Sequence, residues 1–257
     1  MAEGDTIHRL ARRLRAAITE PIDGATAPAP DSPLRLQSRR LERLSGSRIE
    51  AATAHGKHLL VRFDAGLVLH SHLGMSGRWE VGVPRQRWRR PPRAARVLLA
   101  AGGREAAQFG GTTLALRTPS ELRADRRLAS LGPDILTADL GAARAASLLR
   151  GGRDTTLGEA LLDQTRIAGI GNIFKSESCF AAGVDPWRPV GEIGDEELTR
   201  VLAAARELMS RAVESGRQPR RIYRRAGTPC PRCGTPIRSR GQGDANRTTY
   251  WCPGCQR

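Results

Sequence analysis

Four of the five cysteines fall in two C-x-x-C pairs, Cys230/Cys233 and Cys252/Cys255, with 18 residues between the pairs. Four thiolates at that spacing can close a tetrahedral metal site, and a site filled by four protein ligands is structural rather than catalytic. Zinc is expected rather than an iron–sulfur cluster, because the intervening segment reads as a β-hairpin. Arg247 lies five residues before Cys252, near the expected hairpin tip, where a metal-pinned loop can hold one guanidinium against phosphates. The fifth cysteine, Cys179, sits in an apolar helical pattern and reads as a buried small hydrophobe.

Three other groups could do chemistry. In Gly169-Ile170-Gly171-Asn172, glycines allow close backbone approach and a helix opening at Asn172 offers N–H groups to an anion. A plain interhelical turn also explains that segment. In the segment 69–79, His70 and His72 stand two apart on a strand and so share a face. No third ligand is near them in sequence, so a phosphate-binding or structural role is expected rather than a second metal. At the start, Ala2-Glu3 would put a carboxylate next to the chain terminus once Met1 is removed, although acidic residues are common at helix starts. Only two of the 42 basic residues are lysines, Lys57 and Lys175. Arginine cannot release its proton in a protein, so of these 42 residues only a lysine could pass one on.

The elements that must position these residues divide along the chain. The net charge of +16 and a pI near 11.3 point to a polyanionic partner. The last 38 residues hold nine arginines and one aspartate, half of the net charge. Ile7, Leu10, Ala11, Leu14 and Ile18 predict an opening helix. Residues 19–33 read as a Pro/Ala-rich loop. Segments 58–63 and 67–72 flank Asp64-Ala65-Gly66, and 96–101 and 104–109 flank Gly102-Gly103, which predicts two hairpins. The Arg- and Pro-rich residues 84–96 read as an exposed loop. Farther on, Thr156 to Glu159 fits a capping box before a helix over 160–164, and Asp195 is expected to cap a longer helix. The expected class is a multidomain α+β protein: a mostly β domain with a leading helix (1–118), which the resemblance given below implies to be two-sheeted, a helical domain (119–221) and a zinc-ribbon hairpin (222–257). No secretory signal opens the sequence and no apolar run is long enough to span a bilayer, so a cytoplasmic protein with no membrane partner is expected.

These groups also occur together, in this order, in one family. The opening MAEGDTI resembles the MPEGDT start of endonuclease VIII-type enzymes. Gly56-Lys57-His58 resembles the family's GKHL segment, residues 72–77 its HLGMSG, residues 131–134 its LGPD, and residues 162–186 its helix–two-turns–helix motif. The tail, ending in CPGCQR, resembles its zinc finger. The chain is thereby similar over nearly its whole length to the formamidopyrimidine-DNA glycosylase/endonuclease VIII family.

The resemblance implies a base-excision-repair enzyme. An N-terminal amine attacks C1′ of a damaged nucleotide, the base leaves, and β- then δ-elimination cuts the strand on both sides. It implies Ala2 as nucleophile, Glu3 as proton donor during base release, Lys57 in β-elimination and Arg247 in phosphate binding and δ-elimination. His72 and Asn172 match phosphate ligands, and Met75 and Phe109 match residues that fill the gap left by the everted nucleotide. One structural zinc, damaged DNA as partner and a monomeric state are implied as well. The family has proline where this chain has Ala2, commonly Arg-Phe-Gly where it has Gln108-Phe109-Gly110, and commonly a small residue at Lys175. The EGDT opening, and the short segment from Glu214 to Pro229, resemble pyrimidine-directed relatives more than purine-directed ones. Two readings compete: a non-catalytic binder of damaged or abasic DNA, which Ala2 would suit, and a zinc-ribbon transcription factor, which leaves the first half of the chain unexplained.

Overall fold

The computed structural model describes residues 2–83, 88–139, 141–151 and 155–257. The chain forms two compact units: Thr6–Ser130 with Met1–Ala2, and Leu131–Arg257 with Glu3–Asp5. The boundary at 130/131 lies beyond the 118/119 division read from sequence.

In the first unit, helix α1 (Gly4–Ala17) buries Ile7, Leu10, Ala11 and Leu14, and turns Arg12 and Arg13 to solvent. That is the 3.6-residue stripe of its sequence, with about 1.5–3 kcal/mol available from each large side chain buried. Two four-stranded antiparallel sheets follow. Strands β1 (Ile22–Thr26), β2 (Ile49–His55), β3 (His58–Phe63), β4 (Leu67–His72), β5 (Arg78–Gly82), β6 (Val97–Ala101), β7 (Arg104–Phe109) and β8 (Thr113–Arg117) are ordered β1-β6-β7-β5 in one sheet and β2-β3-β4-β8 in the other. One core takes Leu10 and Leu14 from α1, Leu59 and Val61 from β3, Leu69 from β4, and Val97 and Leu99 from β6. Short helices α2 (Ser38–Glu42), α3 (Pro119–Arg123) and α4 (Arg126–Ala129) complete the unit. The last two were assigned from sequence to the helical domain.

Both expected hairpins are present. The loop reading of 19–33 is corrected, because β1 pairs there with β6, with a register shift between Ile22 and Gly24 that obscures its alternation. The exposed-loop reading of 84–96 is corrected in part. Residues 84–87 lie outside the described residues, but Ala95 is fully buried, and Arg96 donates to the carbonyls of Gly110 (3.3 Å) and Gly111 (2.8 Å).

The second unit holds α5 (Ala142–Arg150), α6 (Leu157–Leu162), α7 (Asn172–Ala182) and α8 (Asp195–Ser215) around a core that includes Leu149, Leu161, Ile170, Phe174, Val201 and Met209. Asp195 is the first residue of α8 rather than its cap; Gly194 caps it, and the Gly194 N–H lies 3.4 Å from Glu197 Oε2. Strands β9 (Arg238–Gln242) and β10 (Arg247–Trp251) form the expected C-terminal hairpin. A small core of Phe180, Ile222, Cys230, Ile237 and Cys252 lies beneath it.

Candidate active site

Glu3 is completely buried, and its carboxylate sits on the N-terminus of α7. It accepts from the backbone N–H of Ile173 (2.9 Å) and of Phe174 (3.3 Å). Those are two of the four amides that a helix start leaves without an internal partner, and the helix dipole favours an anion there. The two-turn segment before α7 is shaped to admit the carboxylate. A Cβ on Gly171 would lie 2.2 Å from Glu3 Cδ, and one on Gly4 would lie 2.9 Å from Gly169 Cα. Gly4 N donates to Gly169 O (3.0 Å). Gln164 braces the turn, donating to Leu162 O and Ile170 O and accepting from Gly169 N. The sequence reading offered this turn as an anion site; the anion it holds is the chain's own Glu3. Asp5, on the next turn of α1, accepts from Gln218 Nε2 at 3.1 and 3.2 Å.

Asn172, the first residue of α7, donates from Nδ2 to Thr248 O on β10 (2.7 Å), while its buried Oδ1 has no hydrogen-bond partner. Arg247 is exposed and starts β10 directly after the turn, as expected. The zinc ligands meet in the finger. Their four sulfurs lie within 4.8 Å of one another, with Cys230–Cys255 at 3.8 Å and Cys233–Cys252 at 3.5 Å. Zn–S bonds of about 2.3 Å in a tetrahedron require S···S of about 3.8 Å, so these residues fit one structural zinc. Hydrogen bonds from Thr235 pull the Cys233 thiol down to about 6, toward the thiolate that binds metal. Cys179 is fully buried and its thiol is pushed up to about 12 by burial, as expected of an inert packing residue.

In the first unit, Ala2 lines a cavity of about 260 Å³ with Thr6, Leu73 and Gly77, walled by Arg9, Arg13, Arg78 and Trp79. The last four also line a neighbouring cavity of about 500 Å³ that adds Trp88 and Arg89. Lys57 is half-buried in the two-residue β2–β3 turn, where Gly56 supplies φ +56°. The β3–β4 register sets His58 opposite His72, and so brings in a third histidine that the sequence reading did not place beside the other two. His58 Nδ1 is 2.9 Å from His70 Nε2, the rings of His58 and His72 stack at 4.6 Å, and His72 Nδ1 is 2.8 Å from Thr112 Oγ1. Burial, then the neighbouring histidines, push His58 down to about 3. Burial, then Arg117, push His70 down to about 4, and burial, then Lys57, lower His72. The stack is therefore neutral at pH 7. Among the described residues only the four cysteines form a group able to hold a metal.

Met75 is 70% exposed, available to a ligand. Phe109 is not. It is 0% exposed, packed with Ala95 and Ala107 and edge-on to Trp88 at 5.7 Å. Its expected role as a gap-filling residue is corrected to that of a core residue. Gln108, also 0% exposed, turns its Nε2 onto Gly110 O. Lys175, to which the sequence assigns no role, is fully buried with its Nζ 2.5 Å from Thr249 Oγ1. Burial is the main cause that pushes it down to about 8. Its signal was there: it is one of two lysines, on the otherwise buried run 172–180.

A zinc-ribbon hairpin beside a helix–two-turns–helix pair, with a glutamate from the chain's start seated on the second helix, defines a class of DNA-repair fold. Residues 1–114 match the profile of the formamidopyrimidine-DNA glycosylase N-terminal domain, 131–223 that of its H2TH domain, and 227–257 that of the zinc finger found in FPG and IleRS. The chain belongs to the formamidopyrimidine-DNA glycosylase family. It is 41% identical to the probable endonuclease 8 2 of Streptomyces coelicolor, over 100% of this chain and 94% of that protein. It is 36% identical to the DNA-(apurinic or apyrimidinic site) lyase Nei2 of Mycolicibacterium smegmatis, over 100% and 99%. Its fold matches that of Lactococcus lactis Fpg in complex with DNA containing an abasic site, at 21% identity and TM-score 0.85 over 99% of both chains. It also matches the MutM (Fpg) protein of Thermus thermophilus, at 28% identity and TM-score 0.79 over 99% and 98%. No helix among the described residues is long and apolar enough to cross a membrane.

Proposed function

We propose that the chain is a bifunctional DNA glycosylase and abasic-site lyase of base-excision repair that acts on oxidised pyrimidines in DNA. The observation that carries this reading is the seat of Glu3: a fully buried carboxylate held by two α7 amides in a turn whose glycine leaves room for nothing else. With Met1 removed, the Ala2 amine is the nucleophile. An α-amine has a pKa of about 7.7–8.0, against about 10.4 for lysine, so a useful fraction is neutral at pH 7. Nitrogen attacks C1′ as the glycosidic bond breaks; the proton that the attacking amine then sheds passes to the Glu3 carboxylate, which hands it to the departing base. Ring opening then gives the C1′ imine. Loss of a C2′ proton expels the 3′-phosphate, and a second elimination expels the 5′-phosphate.

Lys57 serves the first elimination, and Arg247, on the zinc-pinned hairpin, serves phosphate binding and the second. His72, Asn172 and the exposed Met75 complete the DNA contacts. The β unit that ends at Ser130, rather than at 118, serves as the catalytic domain, the helical segment from Leu131 to 221 as the DNA-binding domain and 222–257 as the finger, and the chain works as a monomer in the bacterial cytoplasm. The relatives named as an endonuclease 8 and as an abasic-site lyase support the assignment. The test is incision of duplexes carrying thymine glycol, 5-hydroxyuracil, 8-oxoguanine or an abasic site, with light scattering for oligomeric state. Excision of the two pyrimidines well ahead of 8-oxoguanine is expected. Binding of abasic DNA with no incision of any duplex would replace the proposal with a non-catalytic binder.

A further inference from the structure

Helix α7 grips strand β10 at three successive residues immediately after Arg247. Asn172 Nδ2 donates to Thr248 O (2.7 Å), Lys175 Nζ donates to Thr249 Oγ1 (2.5 Å), and Tyr250 N donates to Ser176 Oγ (3.4 Å). Positions 172, 175 and 176 are i, i+3 and i+4, one face of a helix. The middle contact is the charged one, and it continues. The Thr249 hydroxyl donates to Gln242 Oε1 (2.5 Å), Gln242 Nε2 donates to Thr156 Oγ1 (2.9 Å), and the Thr156 hydroxyl donates to Glu159 Oε2 (2.5 Å).

Every hydrogen bond in this chain points the same way, from an ammonium at one end to a carboxylate at the other. Such a chain polarises itself, so each link strengthens the next. Lys175 and Thr249 are 0% exposed and Gln242 is 5% exposed. The surroundings are shaped for it. A Cβ on Gly158 would lie 2.2 Å from Gln242 Oε1, and one on Gly243, in the β9–β10 turn, would lie 3.0 Å from Glu159 Oε1. The expected capping box is part of the same network: Glu159 reaches back to accept from Thr156 N (3.1 Å), as well as from the Thr156 hydroxyl.

Burying an ammonium is costly, and a lysine kept there must act through what it holds. The Thr249 oxygen that Lys175 holds is also 3.5 Å from the Arg247 carbonyl. Zinc fixes the base of the hairpin, between the cysteine pairs. Nothing in the metal site fixes its far end, where Arg247 lies.

We propose that Lys175 is a positioning residue for the repair reaction: it is the cationic end of a buried one-way hydrogen-bond chain that holds the hairpin, and with it Arg247, against α7. The role given to Arg247 rests on the proposed function; the clamp itself does not.

The experiment measures both separately. Hydrogen exchange of the 238–251 amides, in zinc-loaded full-length protein without DNA, tests the clamp. Lys175→Met removes a charge-assisted hydrogen bond, so exchange there should quicken roughly ten- to a hundredfold with zinc still at one per chain. The products formed on abasic DNA test the positioning. Lys175→Met should lower the proportion of δ- to β-elimination product, as should Arg247→Ala, and the double variant should be no worse than Arg247→Ala alone. Thr249→Val breaks the same link from the hairpin side with its volume conserved, and serves if Lys175→Met does not fold. Thr249→Ser, which keeps the hydroxyl, should keep the exchange protection. Unchanged hairpin exchange in both Lys175→Met and Thr249→Val overturns the clamp. Faster exchange with an unaltered product ratio, or effects of Lys175→Met and Arg247→Ala that multiply independently, overturns the positioning role. Wild-type protein that leaves abasic DNA uncut, with a clamp that behaves as described, overturns the proposed function instead.

Discussion

Replacing Gly171 with alanine should separate the two activities of this protein. Gly171 has φ −121° and ψ −168°, extended backbone that alanine adopts without strain, so the effect comes from space alone. The new methyl would lie 2.2 Å from Glu3 Cδ and must part from it by about 1.2 Å to reach ordinary contact at 3.4 Å. Glu3 cannot absorb this by swinging to solvent, because it is 0% exposed and tied to two α7 amides. Overpacking of this kind costs about 1–3 kcal/mol of stability. For a chain of this size that lowers Tm by roughly 2–4 °C per kcal/mol, so the protein should still fold. A catalytic group misplaced by about 1 Å loses on the order of 100-fold in rate. Gly171→Ala should therefore cut single-turnover release of 5-hydroxyuracil about 100-fold, while cleavage of a preformed abasic site falls less than tenfold. Wild-type base release, or equal loss of both activities, would refute the reasoning that the glycine exists to seat a proton-transferring Glu3.

Glu3→Gln should abolish base release and spare abasic-site cleavage, measured on the same two duplexes; parallel loss of both would make the residue structural. Arg247→Ala should weaken DNA binding and lower the slope of log K against log salt by about 1, with zinc still at one per chain; an unchanged slope would place the guanidinium away from phosphate. Acid should destabilise the first unit through its histidine stack. Because His58 and His70 are pushed down to about 3 and 4 when folded and titrate near 6.5 when unfolded, their contribution is complete above pH 6.5 and is lost as pH falls toward 4. At pH 5 that is about 1–2 kcal/mol for each ring after allowance for solvent screening. His58→Gln should flatten the fall in Tm between pH 6.5 and 5 seen by calorimetry, and a wild-type Tm that does not change over that range would contradict the assigned cause.

Sequence carried the zinc ligands, the two hairpins, α1 and the helix–two-turns–helix segment, because each is specified within a short window: metal spacing, glycine turns, a 3.6-residue stripe. It did not carry what depends on partners distant in the chain. Strand β1 hid in a Pro/Ala-rich stretch because its alternation is broken where it shifts register against β6. Phe109 follows a glutamine where relatives carry arginine, yet whether its ring faces DNA or the core depends on Trp88 and Ala95. The glycines at 169 and 171 read as an anion site for a ligand, while the structure fills that site with Glu3 from 168 residues earlier. Lys175 stood out by type, but its meaning needed Thr249 and Gln242 from the finger and Thr156 from the preceding helix.

The central claim is that the α-amine of Ala2 is the nucleophile, and borohydride reduction of protein mixed with a duplex holding one abasic site tests it most directly. Reduction fixes the imine between C1′ and whichever nitrogen attacked, and peptide mapping then identifies that nitrogen. The expected result is a mature chain that lacks Met1 and a crosslink on the Ala2 amine. Trapping should be lost when an N-terminal extension is retained and should persist in Ala2→Pro. A crosslink mapped to Lys57, or none from correctly processed protein, would contradict it.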